Sequence, residues 1–118
     1  MSEQKNLQVD RDEQERLIQH LRGICYVVIN TVYGGFSLSD IAVARYKELA
    51  GIKENDAWSV YDIPRDDAYL VTTVKELGED ANGIYSDLKI VEVPADVDWY
   101  IDEYDGREWV AEKHRTWR

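Results

Sequence analysis

The chain has 118 residues, 44% of them hydrophobic and 32% charged, which suits one domain of ordinary size with a real core and excludes wholesale disorder. Fourteen Lys and Arg against twenty-four Asp and Glu leave a net charge of −10, the wrong sign for a general nucleic-acid binder, which needs a broad basic surface. No apolar run reaches the ~18–20 residues that cross a bilayer, the polar start Met1–Asn6 predicts no secretory leader, and the lone Cys25 allows neither an intrachain disulfide nor a Cys-based metal site and fits a reducing cytoplasm.

Residues 1–24 are expected to form a helical extension, with a polar start followed by a helix over Asp10–Arg22 that Gly23 stops. Its apolar stripe is thin, Leu17, Ile18 and Leu21, which suits an assembly element better than a core helix. Residues 25–118 are expected to form one α+β domain. Cys25–Asn30 is a continuous, β-branched apolar run and predicts a strand buried on both faces. Tyr33-Gly34-Gly35-Phe36 must then turn, and Ser37-Leu38-Ser39-Asp40 opens a helix with the Ser-x-x-acid spacing of a capping box. Leu38, Ile41, Ala42, Tyr46 and Leu49 share one helical face, and Gly51 ends it.

Trp58–Tyr61 reads as a short strand closed by Pro64. Asp66 or Asp67 caps a further helix with the stripe Leu70, Val74 and Leu77, broken at Gly78 and around Asn82-Gly83. Leu88–Val93 is a strand ended by Pro94. Asp105-Gly106 between Asp98–Tyr104 and Arg107–Trp117 predicts a hairpin that sets Ile101 opposite Val110 and Tyr100 opposite Ala111. The expected architecture is helices packed on a mixed sheet whose last three strands form an antiparallel meander.

Two constellations carry candidate chemistry. The strand, the Gly-Gly loop and the following helix N-terminus bring backbone N–H groups towards one point, an arrangement suited to an anion. The spacing matches neither a P-loop nor Gly-x-Gly-x-x-Gly, so a plain glycine turn feeding a capped helix is the competing reading. The second constellation is the C-terminus. Arg107, Lys113, Arg115 and Arg118 against Glu108 and Glu112 give residues 107–118 a charge of +2, while the rest of the chain carries −12. Alternation places Trp109, Lys113, Arg115 and Trp117 on one face. Arg forks grip phosphates and rings stack on bases; pairing with the protein's own surplus acids is the competing reading. Eight Tyr, four Trp and one Phe supply rings for a core, an interface or a planar ligand.

Catalysis has little support. His20 and His114 lack a neighbour that reads as a nucleophile or metal ligand, Cys25 opens a buried strand, and the acidic clusters suit caps or a solvated hairpin face. No catalytic residue, metal or cofactor is expected.

Val27-Val28-Ile29-Asn30 with Tyr33-Gly34-Gly35-Phe36-Ser37-Leu38-Ser39, and Glu103-Tyr104-Asp105-Gly106 with Trp109-Val110-Ala111-Glu112-Lys113-His114-Arg115-Thr116-Trp117, resemble a family of small proteins from tailed bacteriophages and prophages. Leu88–Pro94 resembles a strand of the same family. The resemblance spans roughly residues 26 to 117 and points to the anti-Thoeris sponges, non-enzymatic proteins that bind the cyclic ADP-ribose signals of bacterial TIR-domain proteins without cleaving them.

What the resemblance implies is a cytoplasmic protein of the infected cell that assembles as a dimer or a dimer-based hexamer and holds cyclic ADP-ribose or a related cyclic nucleotide, with cyclic oligonucleotides a further ligand class of some members. For such a ligand, Gly34, Gly35, Ser37 and Arg115 are the candidate anion donors. Tyr33, Phe36 and Trp117 are the candidate rings, and Asn30 or Asn82 is the candidate reader of ribose or base edges. His114, beside Arg115, is placed with them. The alternative function is an acidic phage inhibitor of a protein target or a nucleic-acid mimic, which the net charge favours.

Overall fold

The structure is a computed structural model that describes residues 23–113. The expected helix over Asp10–Arg22 lies outside the described residues, as do His114, Arg115 and Trp117. The described chain is α+β, with strand β1 (Ile24–Asn30), helices α1 (Asp40–Ala50) and α2 (Ala68–Leu77), and strands β2 (Leu88–Pro94), β3 (Trp99–Tyr104) and β4 (Arg107–Glu112). No helix among the described residues is long and apolar enough to cross a membrane.

The sheet is not mixed, and the last three strands do not form a meander. β1 and β2 pair antiparallel, with Val28 opposite Ile90 and Asn30 opposite Leu88. β3 and β4 form a separate antiparallel pair, with Ile101 opposite Val110 and Tyr100 opposite Ala111 as the Asp-Gly turn predicts. Chain neighbours β2 and β3 are not hydrogen-bonded to each other. The reason lies in β1. Both of its faces are apolar, so each needs a cover of its own. Val28 joins the cluster of Phe36, Ala42, Tyr46, Ile63, Leu70, Val71, Val74 and Ala81 on the helical side. Val27 and Ile29, with Val93, face a second cluster that takes in Cys25, Val91, Val97, Trp99, Ile101 and Val110. The hairpin therefore covers the opposite face of the β1–β2 pair rather than extending it.

Local sequence fixes the helices. The cap of α1 is Ser39, whose hydroxyl accepts from Ala42 N–H at 3.2 Å and donates to Asp80 O at 2.6 Å. That moves the start two residues past Ser37, so Asp40 is not at the position a capping box requires. Ala42, Tyr46 and Leu49 are buried as expected, but Ile41 is 62% exposed. Asp67, not Asp66, caps α2 by accepting from Tyr69 N–H and Leu70 N–H. Leu70, Val71, Thr73 and Val74 are the buried positions of α2.

The expected strand at Trp58–Tyr61 is instead a 3-10 turn over Val60–Asp62. The Ser59 hydroxyl accepts from Tyr61 N–H at 3.3 Å and offers the backbone a local partner in place of a ladder. Trp58 stacks on Tyr46 with centroids 5.6 Å apart. Burial, with the Asp67 carboxylate next, pushes the Tyr46 hydroxyl up to about 12. Arg45 bonds Glu76 through Nε (2.7 Å) and Nη2 (3.0 Å), joining α1 to α2. The hydrogen bond from Arg45 holds the Glu76 carboxyl below its ordinary value.

Candidate functional site

The end of β1 is closed by a polar node. Asn30 is fully buried. Its Nδ2 donates to Val32 O (2.7 Å) and Gly106 O (2.8 Å), and its Oδ1 accepts from Asp87 N–H (2.9 Å). Its backbone N–H donates to Glu108 Oε1 at 2.8 Å. Glu108 also receives both arms of Arg65, Nη1 to Oε1 at 2.6 Å and Nη2 to Oε2 at 2.8 Å, and its side chain is only 9% exposed. The Arg65 guanidinium lies over the Phe36 ring, 3.6 Å from the centroid. Val28 N–H donates to Arg65 O at 2.8 Å. At Val28 and Asn30 the β1 edge that faces away from β2 is thus taken up by Arg65 and Glu108, which blocks pairing with another strand there.

The glycine loop is wedged against this node. Gly34 N–H donates to Asp105 O at 3.2 Å. A side chain at Gly34 would meet Tyr85 O at 2.7 Å, and one at Gly106 would strike the backbone N of Gly35. Both glycines are needed because another backbone approaches too closely for a Cβ. Tyr33 meets Tyr104 edge-on at 6.5 Å. The two sequence strings that carry the family resemblance therefore touch, one through its glycine loop and the other through its hairpin turn.

Beside the loop lies a cleft of about 630 Å³, lined by Gly34, Phe36, Ser37, Leu38, Ser39, Asp40, Tyr61 and the segment Asn82-Gly83-Ile84-Tyr85. That size falls within the range of small-molecule sites. Its rim carries three exposed apolar side chains, Tyr61 (80%), Ile84 (92%) and Tyr85 (73%). The Asp40 carboxylate is exposed and makes no hydrogen bond or ion pair among the described residues, and among those residues it is the only carboxylate or base in the lining.

Of the residues picked from sequence, Gly34, Phe36, Ser37 and Asn82 come together in this cleft. Tyr33 and Gly35 flank it within the same loop. Asn30 sits behind it with both amide hydrogens and its oxygen engaged, so its polar atoms serve the fold. Asn82 is partly engaged as well, since its Oδ1 accepts from Leu88 N–H at 2.8 Å. The Ser37 carbonyl accepts from Ser86 Oγ at 2.9 Å, and its hydroxyl lies against Gly83. The expected convergence of free N–H groups is reduced, because Gly34 N–H has a partner and Ser39 caps α1.

Sequence reasoning missed Asp40 as a cleft residue, Tyr61, Ile84 and Tyr85. Ile84-Tyr85 had a readable signal, two large apolar residues in a turn segment outside any helical or strand period. Arg65 and Glu108 had none, being 43 residues apart in the chain. Among the described residues no group of three or more His, Cys, Asp or Glu is placed to hold a metal ion. No family model, curated protein or solved structure matches the chain.

Proposed function

We propose that the protein is a binder of cyclic ADP-ribose-type signals, sequestering them without cleavage on behalf of a phage in an infected cell. The observation that carries this reading is the cleft. It gathers four residues of the resembling strings or their neighbourhood, Gly34, Phe36, Ser37 and Asn82, under a rim of solvent-exposed rings, Tyr61 and Tyr85. Exposed rings around a concave, partly polar site favour a planar ligand. The polar groups of the lining are hydroxyls, amides and one carboxylate, a set suited to holding a sugar and base. The ligand's diphosphate is assigned to Arg115 of the basic C-terminal stretch, and assembly into dimers encloses the site.

The test is uptake and release. The purified protein is incubated with cyclic ADP-ribose isomers, washed, and denatured by heat, and the supernatant is assayed. Release of intact ligand is the expected result; altered ligand means an enzyme, and no uptake sinks the reading. Arg115→Ala should weaken uptake about ten- to a hundredfold, the cost of one charge-assisted contact. A second reading, an inhibitor of a protein target, is favoured by the exposed rings Tyr33, Tyr85 and Tyr104 on an acidic chain, and absence of uptake would bring it forward.

A further inference from the structure

The cleft's chemistry discriminates between the two ends of a nucleotide ligand, a step that rests on the sequestration reading above. Two of the backbone donors expected to face an anion are engaged within the protein: Gly34 N–H is bonded to Asp105 O, and the Ser39 hydroxyl occupies Ala42 N–H at the start of α1. No Lys or Arg among the described residues lines the cleft. Arg65, which touches the lining residue Phe36, is held by both Glu108 oxygens. The ionised group that does line it is Asp40, exposed and without a partner among the described residues. A phosphate placed inside would meet like charge and, among the described residues, no compensating cation.

The remaining groups suit a different moiety. Tyr61 and Tyr85 offer exposed ring faces, and stacking on such rings is available to any nucleobase. A carboxylate with free lone pairs accepts both hydroxyls of a ribose cis-diol, the way acidic side chains read ribose in dinucleotide folds. We propose that the cleft takes the nucleoside end of its ligand, with the base against Tyr61 and Tyr85, the ribose diol donating to Asp40, and the phosphates left outside the cleft. Asp40, Tyr61 and Tyr85 are then the specificity-determining residues.

The experiment titrates the full chain with adenosine, with 2′,3′-dideoxyadenosine and with inorganic diphosphate, following the backbone amide resonances of Asp40, Gly83, Ile84 and Tyr85. Adenosine should move them, dideoxyadenosine should need about tenfold more ligand for the same shift, and diphosphate should leave them in place. Asp40→Asn and Tyr85→Ala should each weaken adenosine about tenfold or more while melting as the wild type does. Silence towards adenosine, movement with diphosphate, or an Asp40→Asn variant that binds adenosine as tightly as the wild type overturns the proposal. Cyclic ADP-ribose uptake separates it from the reading beneath it. Uptake that is unchanged in Asp40→Asn overturns the nucleoside-end assignment and leaves sequestration standing. Adenosine binding in the expected pattern by a wild type that takes up no cyclic ADP-ribose removes sequestration and retains the assignment.

Discussion

The glycine loop borders two neighbourhoods of opposite character. On one side, the node at the end of β1 uses every strong polar group it holds: both hydrogens of the Asn30 amide, both oxygens of Glu108 and both arms of Arg65 have partners at 2.6–2.8 Å. On the other side, the cleft presents an Asp40 carboxylate without a partner among the described residues and tyrosines that stand largely in solvent. Buried polar groups must be satisfied internally, because an orphan costs its full desolvation, whereas exposed groups are satisfied by water that a ligand can displace. Candidate residues for binding are therefore found among groups that folding leaves unused. By that criterion Asn30 belongs to the fold, and Asp40 is a candidate for the site.

Glu108→Ala should break this contrast most severely. It strips a mostly buried guanidinium of its carboxylate and leaves Asn30 N–H without an acceptor, at a cost of about 3–5 kcal/mol. The urea unfolding midpoint would read the loss, and a midpoint near wild type would mean that the node does not hold the fold. Gly106→Ala comes next. The added Cβ strikes the N of Gly35 at a residue with φ of +87°, for about 1–3 kcal/mol of strain. Gly35→Ala, whose Cβ meets nothing within 4 Å, carries only the backbone contribution and should melt above Gly106→Ala.

The apolar cluster beneath the cleft responds to alkali. The Tyr46 hydroxyl ionises at about 12 in the folded protein and near 10 when unfolded. Above pH 10 the unfolded chain loses this proton first, so stability is full below that pH and falls between about 10 and 12. The contribution lost is on the order of 1–3 kcal/mol. Tyr46→Phe should flatten that part of a stability–pH curve; an identical fall in the variant would assign it elsewhere. Tyr85→Ala should have the smallest effect, within about 0.5 kcal/mol by thermal melting, because alanine keeps the Cβ that packs against Gly34 and removes only an exposed ring. A larger loss would place Tyr85 among the residues that hold the fold.

The same division explains what the sequence made legible. Cys25–Asn30 announces a strand buried on both faces through its unbroken apolar run, and Asp105-Gly106 sets the hairpin register, because both signals are local. The meander was the natural expectation from chain order. It failed because a two-faced β1 needs a cover on each side, a requirement imposed by tertiary packing. Ile41 fits the helical period yet faces solvent, since the period fixes a face but not its width. Asn30 reads as a candidate for ribose or base edges because its amide both donates and accepts; its long-range partners, Asp87, Gly106 and Glu108, lie 57 to 78 residues away and leave no local trace. The cleft was half legible: its glycine loop and Asn82 are marked by turn chemistry and Ile84-Tyr85 by apolar residues out of period, while Tyr61 is placed only by the folded chain.

The closure of the β1 edge has a consequence for the order in which the molecule is made. β1 ends at Asn30, its ladder partner begins at Leu88, and the carboxylate that caps its other edge is Glu108. During synthesis the strand leaves the ribosome long before either partner exists. Its Tyr-Val-Val-Ile core is then an apolar, β-branched segment with two bare edges, the kind that pairs with copies of itself. A nascent or truncated chain ending before Leu88 is thus exposed to aggregation in a way the finished one is not. Folding must also wait on pairings between distant parts of the chain, which are slow to find. The hairpin that completes the node is the last described part to be synthesised, so the shielding of β1 comes late.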